Sequence, residues 1–266
     1  MIWLSSLSLS NDSMEGKLIA ALFNQIAETD GLAQAHTHRL QGLVSFLEKI
    51  IDGLGFCLSE DGDLLSQWRG YAADASGVSI GFSKEYLEKF GENREQAEMG
   101  FTLQKVEYDP ETQEGLVKPT YMKVKQLIDQ GAFKIFGRRS LLDMRNDDEI
   151  EKEDGEIKSA FSRLSMTILP LFAELYLLKT WAFREEREWR LISYFLKNGD
   201  ETCSFRAVSD RIIPFRKFEL AASVGNPIVE VILGPKNITP EYVIESFLKQ
   251  NGFGAVKISR SKATYR

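Results

Sequence analysis

The sequence predicts an α+β fold: a mixed, partly split β-sheet with N-terminal helices and a central helical insertion. Three observations predict it. Leu18, Ile19, Leu22, Phe23 and Ile26 recur at helical spacing, and so do Leu40, Leu43, Val44, Leu47, Ile50 and Ile51. Short apolar segments such as Gly77–Phe82 and Ile228–Leu233 read as strands. Between the two groups of strands, residues 116–180 keep a helical period. The 266 residues are therefore read as one domain, 1–266, with a helical insertion at about 116–180.

Ile2 to Leu9 reads as a short strand, and Asn11-Asp12-Ser13 offers turn and helix-capping chemistry. Helices are expected over Met14 to Glu28 and Leu32 to Ile51, the second stopped by Gly53 and Gly55. Phe56 to Ser59 reads as a buried strand, followed by a short helix from Leu64 to Tyr71. Glycines in the strand Gly77–Phe82 mark a close approach by backbone or ligand. Phe101 to Tyr108 is a further strand, ended by Asp109-Pro110. In the insertion, Pro170 is an expected kink, and the seven carboxylates from Asp147 to Glu156 read as a solvated loop or a helix start. Strands resume at Glu188 to Phe195, Cys203 to Val208 and Ile228 to Leu233. Thr239-Pro240-Glu241 starts a helix to about Gln250, with Thr as N-cap and Pro at N1. Ala255 to Ser259 closes a parallel crossover.

Charge and cysteine usage narrow the function classes. The net charge of -6 gives no overall basic footprint for nucleic acid and no attraction to anionic lipid. No window approaches 18 uninterrupted apolar residues, so no membrane span is expected. The start, MIWLSSLSLSNDS, lacks the basic and apolar regions of a signal peptide. Two distant cysteines, Cys57 and Cys203, fit buried free thiols in a reducing cytoplasm better than a disulfide or zinc framework. No metal site is expected. His36 and His38 point to different sides of their helix, which also weakens a Ser-His-Asp triad.

In the stretch LLKTWAFREEREWRLISYF, Leu177 to Phe195, six charged residues from Arg184 to Arg190 are packed between apolar flanks. If it runs into a strand, Glu186, Glu188 and Arg190 share one face and Arg187, Trp189 and Leu191 the other. Opposite charges at that spacing partly neutralise one another. A salt-bridged strand end without chemistry is the simpler reading of these charges, and a paired-carboxylate site is the sharper one.

Five segments carry a family resemblance: SLSNDSME (8–15), FCLSEDGDLLSQWRGYAADASGVSIGFS (56–83), LQKVEYD (103–109), KTWAFREEREWRLI (179–192) and VEVILGP (229–235). Their order and content resemble the bacterial domain-of-unknown-function family numbered 2971, and the layout looks like an ADP-ribosyltransferase-type fold. That resemblance implies NAD as co-substrate, held in a cleft between two small sheets. Glu188 would stabilise the oxocarbenium-like state, with Glu186 as the second carboxylate of a Glu-x-Glu pair. Tyr71 would stack on nicotinamide, Arg69 or Arg190 would meet a phosphate, and Ser59 and Ser79 would bond the ribose. Similar proteins carry an extra first strand with an aromatic or His-Tyr-like pair. The chain starts at MIWLSS, after that point, and the early polar residue of the cleft has no clear counterpart.

The expected function is thus an NAD-consuming ADP-ribosyltransferase or NAD glycohydrolase, of toxin or phage-defence type, with a dinucleotide ligand and a protein or nucleic-acid acceptor. One alternative is a non-catalytic binding or regulatory module of the same fold. Another is a metal-dependent nuclease using Asp12, Glu15, Glu186 and Glu188 around Mg²⁺. Asn11, Asp12 and Glu15 read first as a helix cap.

Overall fold

The computed structural model describes residues 1–266 apart from 11, 13, 93–99, 139, 141, 198–202, 221–224 and 266. Nine strands form two sheets among these residues. The larger has the order β4-β5-β2-β1-β7-β6: Thr102–Lys105, Glu188–Leu196, Ile51–Ser59, Ile2–Ser6, Ile212–Phe218 and Ser204–Ala207, with antiparallel neighbours. The smaller has the order β3-β8-β9: Val78–Phe82, Ile228–Leu233 and Lys257–Arg260. β8 and β9 run parallel, joined by helix α7, Glu241–Gln250, as the crossover reading requires. The α+β fold with a split sheet is what the sequence led us to expect.

Helices α1 (Leu18–Thr29) and α2 (Gln34–Ile50) follow β1, and the short α3 (Leu65–Tyr71) and α4 (Lys84–Glu92) flank β3. The helical insertion holds two α-helices. α5 spans Pro110–Leu127 and starts six residues before the expected boundary of 116, because Asp109 caps it by accepting Thr112 N at 2.8 Å with Pro110 behind it. A π-helical turn at Ile128–Ala132 ends it, with Gly131 at φ 102. The acidic run is the start of α6, Asp147–Ile168: Asn146 and Glu149 form a capping box, and the acids in the first turn complement the helix dipole. Pro170 ends the α-helix rather than bending it, and a 3₁₀ segment, Leu169–Glu174, takes over.

Gly53 and Gly55 do not stop α2. They lie inside β2, where the strand must let large side chains approach. A Cβ at 53 would be driven into the ring of Tyr176, and one at 55 into Leu7. The α7 N-cap is Pro240, in extended conformation, rather than Thr239. Asn11 and Ser13, expected as capping residues, lie outside the described residues.

The two faces of the large sheet are packed differently. Leu4, Leu54, Leu87, Phe101 and Leu191 form a core on one face. On the other, Ile192 joins Leu7, Phe23, Tyr121, Leu164 and Tyr176 in the core beneath α1, α5 and α6. Side-chain alternation puts Tyr194, Ile192, Arg190 and Glu188 on this second face of β5, opposite Gly53, Gly55, Cys57 and Ser59 of β2. Moving along the strand, the face passes from apolar to ionic.

Between α3 and β3, Ala73, Asp74 and Ala75 all adopt left-handed backbone conformations, with φ of 48, 51 and 69. Each such residue costs about 1 kcal/mol or more, so the turn persists only because its surroundings hold it. Ala75 N donates to Trp68 O at 2.9 Å and Gly77 N to Ala72 O at 2.9 Å. From β8, Lys236 N donates to Ala75 O at 3.0 Å.

Candidate functional site

The charged stretch reaches the sheet through a sharp local turn. Trp181–Glu186 is a 3₁₀ helix, Arg187 has a left-handed φ of 43, and the strand begins at Glu188. Glu186 is therefore not a strand residue, and it shares a site with Glu188 through the turn rather than through strand alternation. The end of β2 fixes this turn: Ser59 Oγ donates to Glu186 O at 2.7 Å, and Glu60 N to Arg187 O at 3.1 Å. Ser59 and Glu188 stand directly opposite each other in the β2–β5 pairing.

Five side chains form one ionic chain here. Glu15, just before α1, accepts from Arg190 at 2.6 and 3.0 Å in a two-pronged pair. Arg190 also donates Nε to Glu188 Oε1 at 2.8 Å and a terminal nitrogen to Oε2 at 3.0 Å. Lys179 Nζ bridges Glu188 at 3.0 Å and Glu186 at 2.6 Å. The side chains of Arg190, Glu15 and Glu188 are 1%, 2% and 7% exposed, whereas Glu186 is 18% exposed. Three carboxylates against two cations leave one formal negative charge, and the member nearest solvent is Glu186.

The backbone holds this chain in register. Gln113 of α5 donates to the carbonyls of Lys179, at 2.8 Å, and Glu107, at 2.7 Å. Lys179 N donates to Glu107 O at 3.0 Å, and Glu188 N to the Tyr108 hydroxyl at 3.0 Å. The Tyr176 carbonyl accepts from Arg190, while the Tyr176 hydroxyl donates to the buried Asp52 at 2.8 Å.

Protonation follows from the partners. Burial works against ionising Glu188, but Arg190 and Lys179 outweigh it and hold its carboxyl below the ordinary value. Burial lifts Glu15 above its ordinary value, since a single guanidinium faces it and the charge of Glu188 lies beyond. Lys179 is buried too, yet Glu188 and Glu186 keep it charged and raise its value.

An exposed cysteine adjoins the cluster. Cys57 stands opposite Arg190 on the same face and is exposed, although Arg190 is not. The surrounding protein nevertheless pushes its thiol far above the usual range, with the Glu188 charge adding to the effect. Tyr71, at the end of α3, is largely exposed, and its phenol is raised by burial and by the Glu186 carboxylate. Trp181 and Phe183 add exposed aromatic surface, and Lys179 Nζ lies 4.8 Å from the Phe183 ring.

Of the residues singled out in the sequence, Glu186, Glu188, Arg190, Ser59 and Tyr71 come together. Arg190 faces inward and is occupied by Glu15 and Glu188, so it does not present itself to a phosphate. Arg69 lies 5.8 Å from the ring of Tyr265. Ser79 sits on β3 of the smaller sheet, beside Gly62. Glu15 is a core ion partner rather than a cap, and Asp12 accepts from Met14 N at 2.9 Å in a local turn. The sequence allowed Lys179 to pair with an acid; it bridges two, Glu186 and Glu188. Among the described residues, no group of three or more His, Cys, Asp or Glu could hold a metal ion. No described helix is long and apolar enough to cross a membrane.

An α+β fold with a buried ionic cluster beside exposed aromatic side chains, where the end of β2 meets the start of β5, is the class that fold and site define. Residues 67–191, from α3 to the first half of β5, match the family described as a protein of unknown function, DUF2971, the family that the motifs resemble. No curated protein and no solved structure matches the chain.

Proposed function

We propose that the chain is an NAD-consuming enzyme of ADP-ribosyltransferase type, and that NAD binds in a recess above the exposed Cys57, beside Tyr71 and Glu186. The observation that carries the reading is the Ser59–Glu188 pairing across β2 and β5, with Glu186 and Tyr71 at the rim. It brings a serine-bearing middle strand and a late glutamate to one place, as the resemblance implies. The surplus negative charge of the cluster suits a ligand that starts as a pyridinium and passes through an oxocarbenium-like state. As the nicotinamide–ribose bond breaks, its electron pair leaves with nicotinamide and positive charge builds on the ribose. Glu186, as the outermost carboxylate, faces that charge, and Glu188 backs it. Tyr71 supplies the ring that stacks on nicotinamide. The acceptor is water, protein or nucleic acid. Rapid hydrolysis would deplete NAD in the manner of a toxin or a phage-defence effector. Two cysteines that form no disulfide suit the reducing cytoplasm in which such an effector would act.

One observation favours a second reading, a non-catalytic binding module of the same fold. Both oxygens of Glu188 are already taken by Arg190 and Lys179. The nuclease alternative has no such support, because these two cations stand where a metal ion would be needed.

Nicotinamide release from NAD by the purified protein decides between the readings. The enzyme releases nicotinamide, and Glu186→Gln and Glu188→Gln each lower the rate by about 100-fold or more. Saturable NAD binding without release assigns the binding module. Neither binding nor release removes the NAD reading.

A further inference from the structure

The C-terminal segment Ser261–Tyr265 ties down both ends of α3. At the helix start, Ser261 Oγ donates to Asp63, and Lys262 N donates to the other oxygen of that carboxylate at 2.7 Å. Trp68 Nε1, from α3 itself, donates to Asp63 at 2.7 Å. At the helix end, the Tyr265 hydroxyl donates to Asp74 at 2.7 Å, inside the left-handed turn. Lys236 Nζ holds the second oxygen of Asp74 at 2.8 Å and lies 4.1 Å from the centre of the Tyr265 ring, with Arg69 at 5.8 Å.

We infer that Ser261–Tyr265 is a positioning strap for the recess: by gripping Asp63 and Asp74, it sets α3 so that Tyr71 stands against the Glu186–Lys179 rim. This rests on the reading of the recess as a ligand site. α3 has seven residues, too few to be stable alone, and Trp68 is its one buried residue. Tyr71 is 71% exposed, so packing of its own ring does not fix its place. Its position comes from the helix ends, and the turn at the far end is strained. Strap and turn both lean on the smaller sheet: the strap continues from β9, and Lys236, just past β8, holds Ala75 and Asp74. The smaller sheet thereby sets one wall of a site whose charged residues belong to the larger one.

The test uses full-length protein carrying Ser261→Ala with Tyr265→Ala, alongside Tyr265→Phe, which keeps the ring and loses one hydrogen bond. In the absence of ligand, amide exchange over 64–77 should speed up by about 10-fold or more in the double variant, while β2 and β5 keep wild-type protection. Alkylation of Cys57 should accelerate relative to Cys203. Tyr265→Phe should shift both readouts in the same direction by less, and it carries the test alone if the double variant does not fold. With NAD, KM should rise and kcat stay near wild type. Unchanged exchange over 64–77 overturns the strap. Faster exchange with unchanged Cys57 reactivity overturns its positioning role. Should the wild type not act on NAD, the proposed function falls, and the exchange and alkylation results still decide the strap.

Discussion

Glu15 clasps Arg190 through both terminal guanidinium nitrogens, at 2.6 and 3.0 Å, across 175 positions of sequence. The pair joins the segment before α1 to the middle of β5, and each side chain is almost wholly buried. Removing one partner strands the other charge in the interior. Glu15→Ala is expected to cost about 3–5 kcal/mol in urea unfolding, the range for breaking a buried ion pair. A loss below about 1 kcal/mol would mean that water or relaxation compensates Arg190, as at surface pairs.

Acid should act on stability through two opposed contributions. Glu188, held below its ordinary value of 4.5, contributes stability above that pH. That contribution is lost as pH falls through the lowered folded value. Glu15 is held above 4.5 and has the opposite sign: its contribution is present at low pH and fades as pH rises through the raised value. In urea titrations between neutral pH and the carboxylate range, Glu188→Gln should flatten the loss of stability below pH 4.5, and Glu15→Gln should steepen it. Profiles parallel to wild type for both variants would show that neither group is linked to unfolding as described.

Two glycines should respond in opposite ways to the same substitution. A Cβ at Gly234 would be driven into the backbone carbonyl of Ala75, in the left-handed turn that β8 supports. Gly234→Ala should therefore destabilise by about 1–3 kcal/mol, as overpacking does. Gly115 lies within α5 with open space beside it, and Gly115→Ala should stabilise by about 0.5–1 kcal/mol. Thermal melts of the two variants should move to opposite sides of wild type. A shift in the same direction would contradict the packing at 234 or the helical placement of 115.

Local chemistry made much of the fold legible. Apolar spacing located α1 and α2 to within a few residues, and β5 was read from Glu188 with its far end one residue short. What failed was chemistry set by distant partners. Gly53 and Gly55 look like a helix stop, yet they make room for Tyr176 and Leu7, which no local pattern announces. β7, Ile212–Phe218, was not foreseen: its Pro214 and two cations obscure the alternation, and its pairing with β1 spans most of the chain. The same holds at the site. Glu186 and Glu188 were legible as a pair because they are adjacent in sequence. That Arg190 would turn inward to Glu15, and that Lys179 would bridge the two acids, depends on how α1, α5 and β2 meet around them.

The central claim is that the recess floored by Cys57 and rimmed by Tyr71 and Glu186 holds NAD. Alkylation followed by peptide mass spectrometry tests it directly, because Cys203, partly exposed and outside the site, serves as an internal control. Saturating NAD should slow modification of Cys57 by about 10-fold or more and leave Cys203 unchanged, since a bound ligand excludes reagent from the floor it covers. Equal rates at Cys57 with and without NAD, in folded protein, would contradict the account.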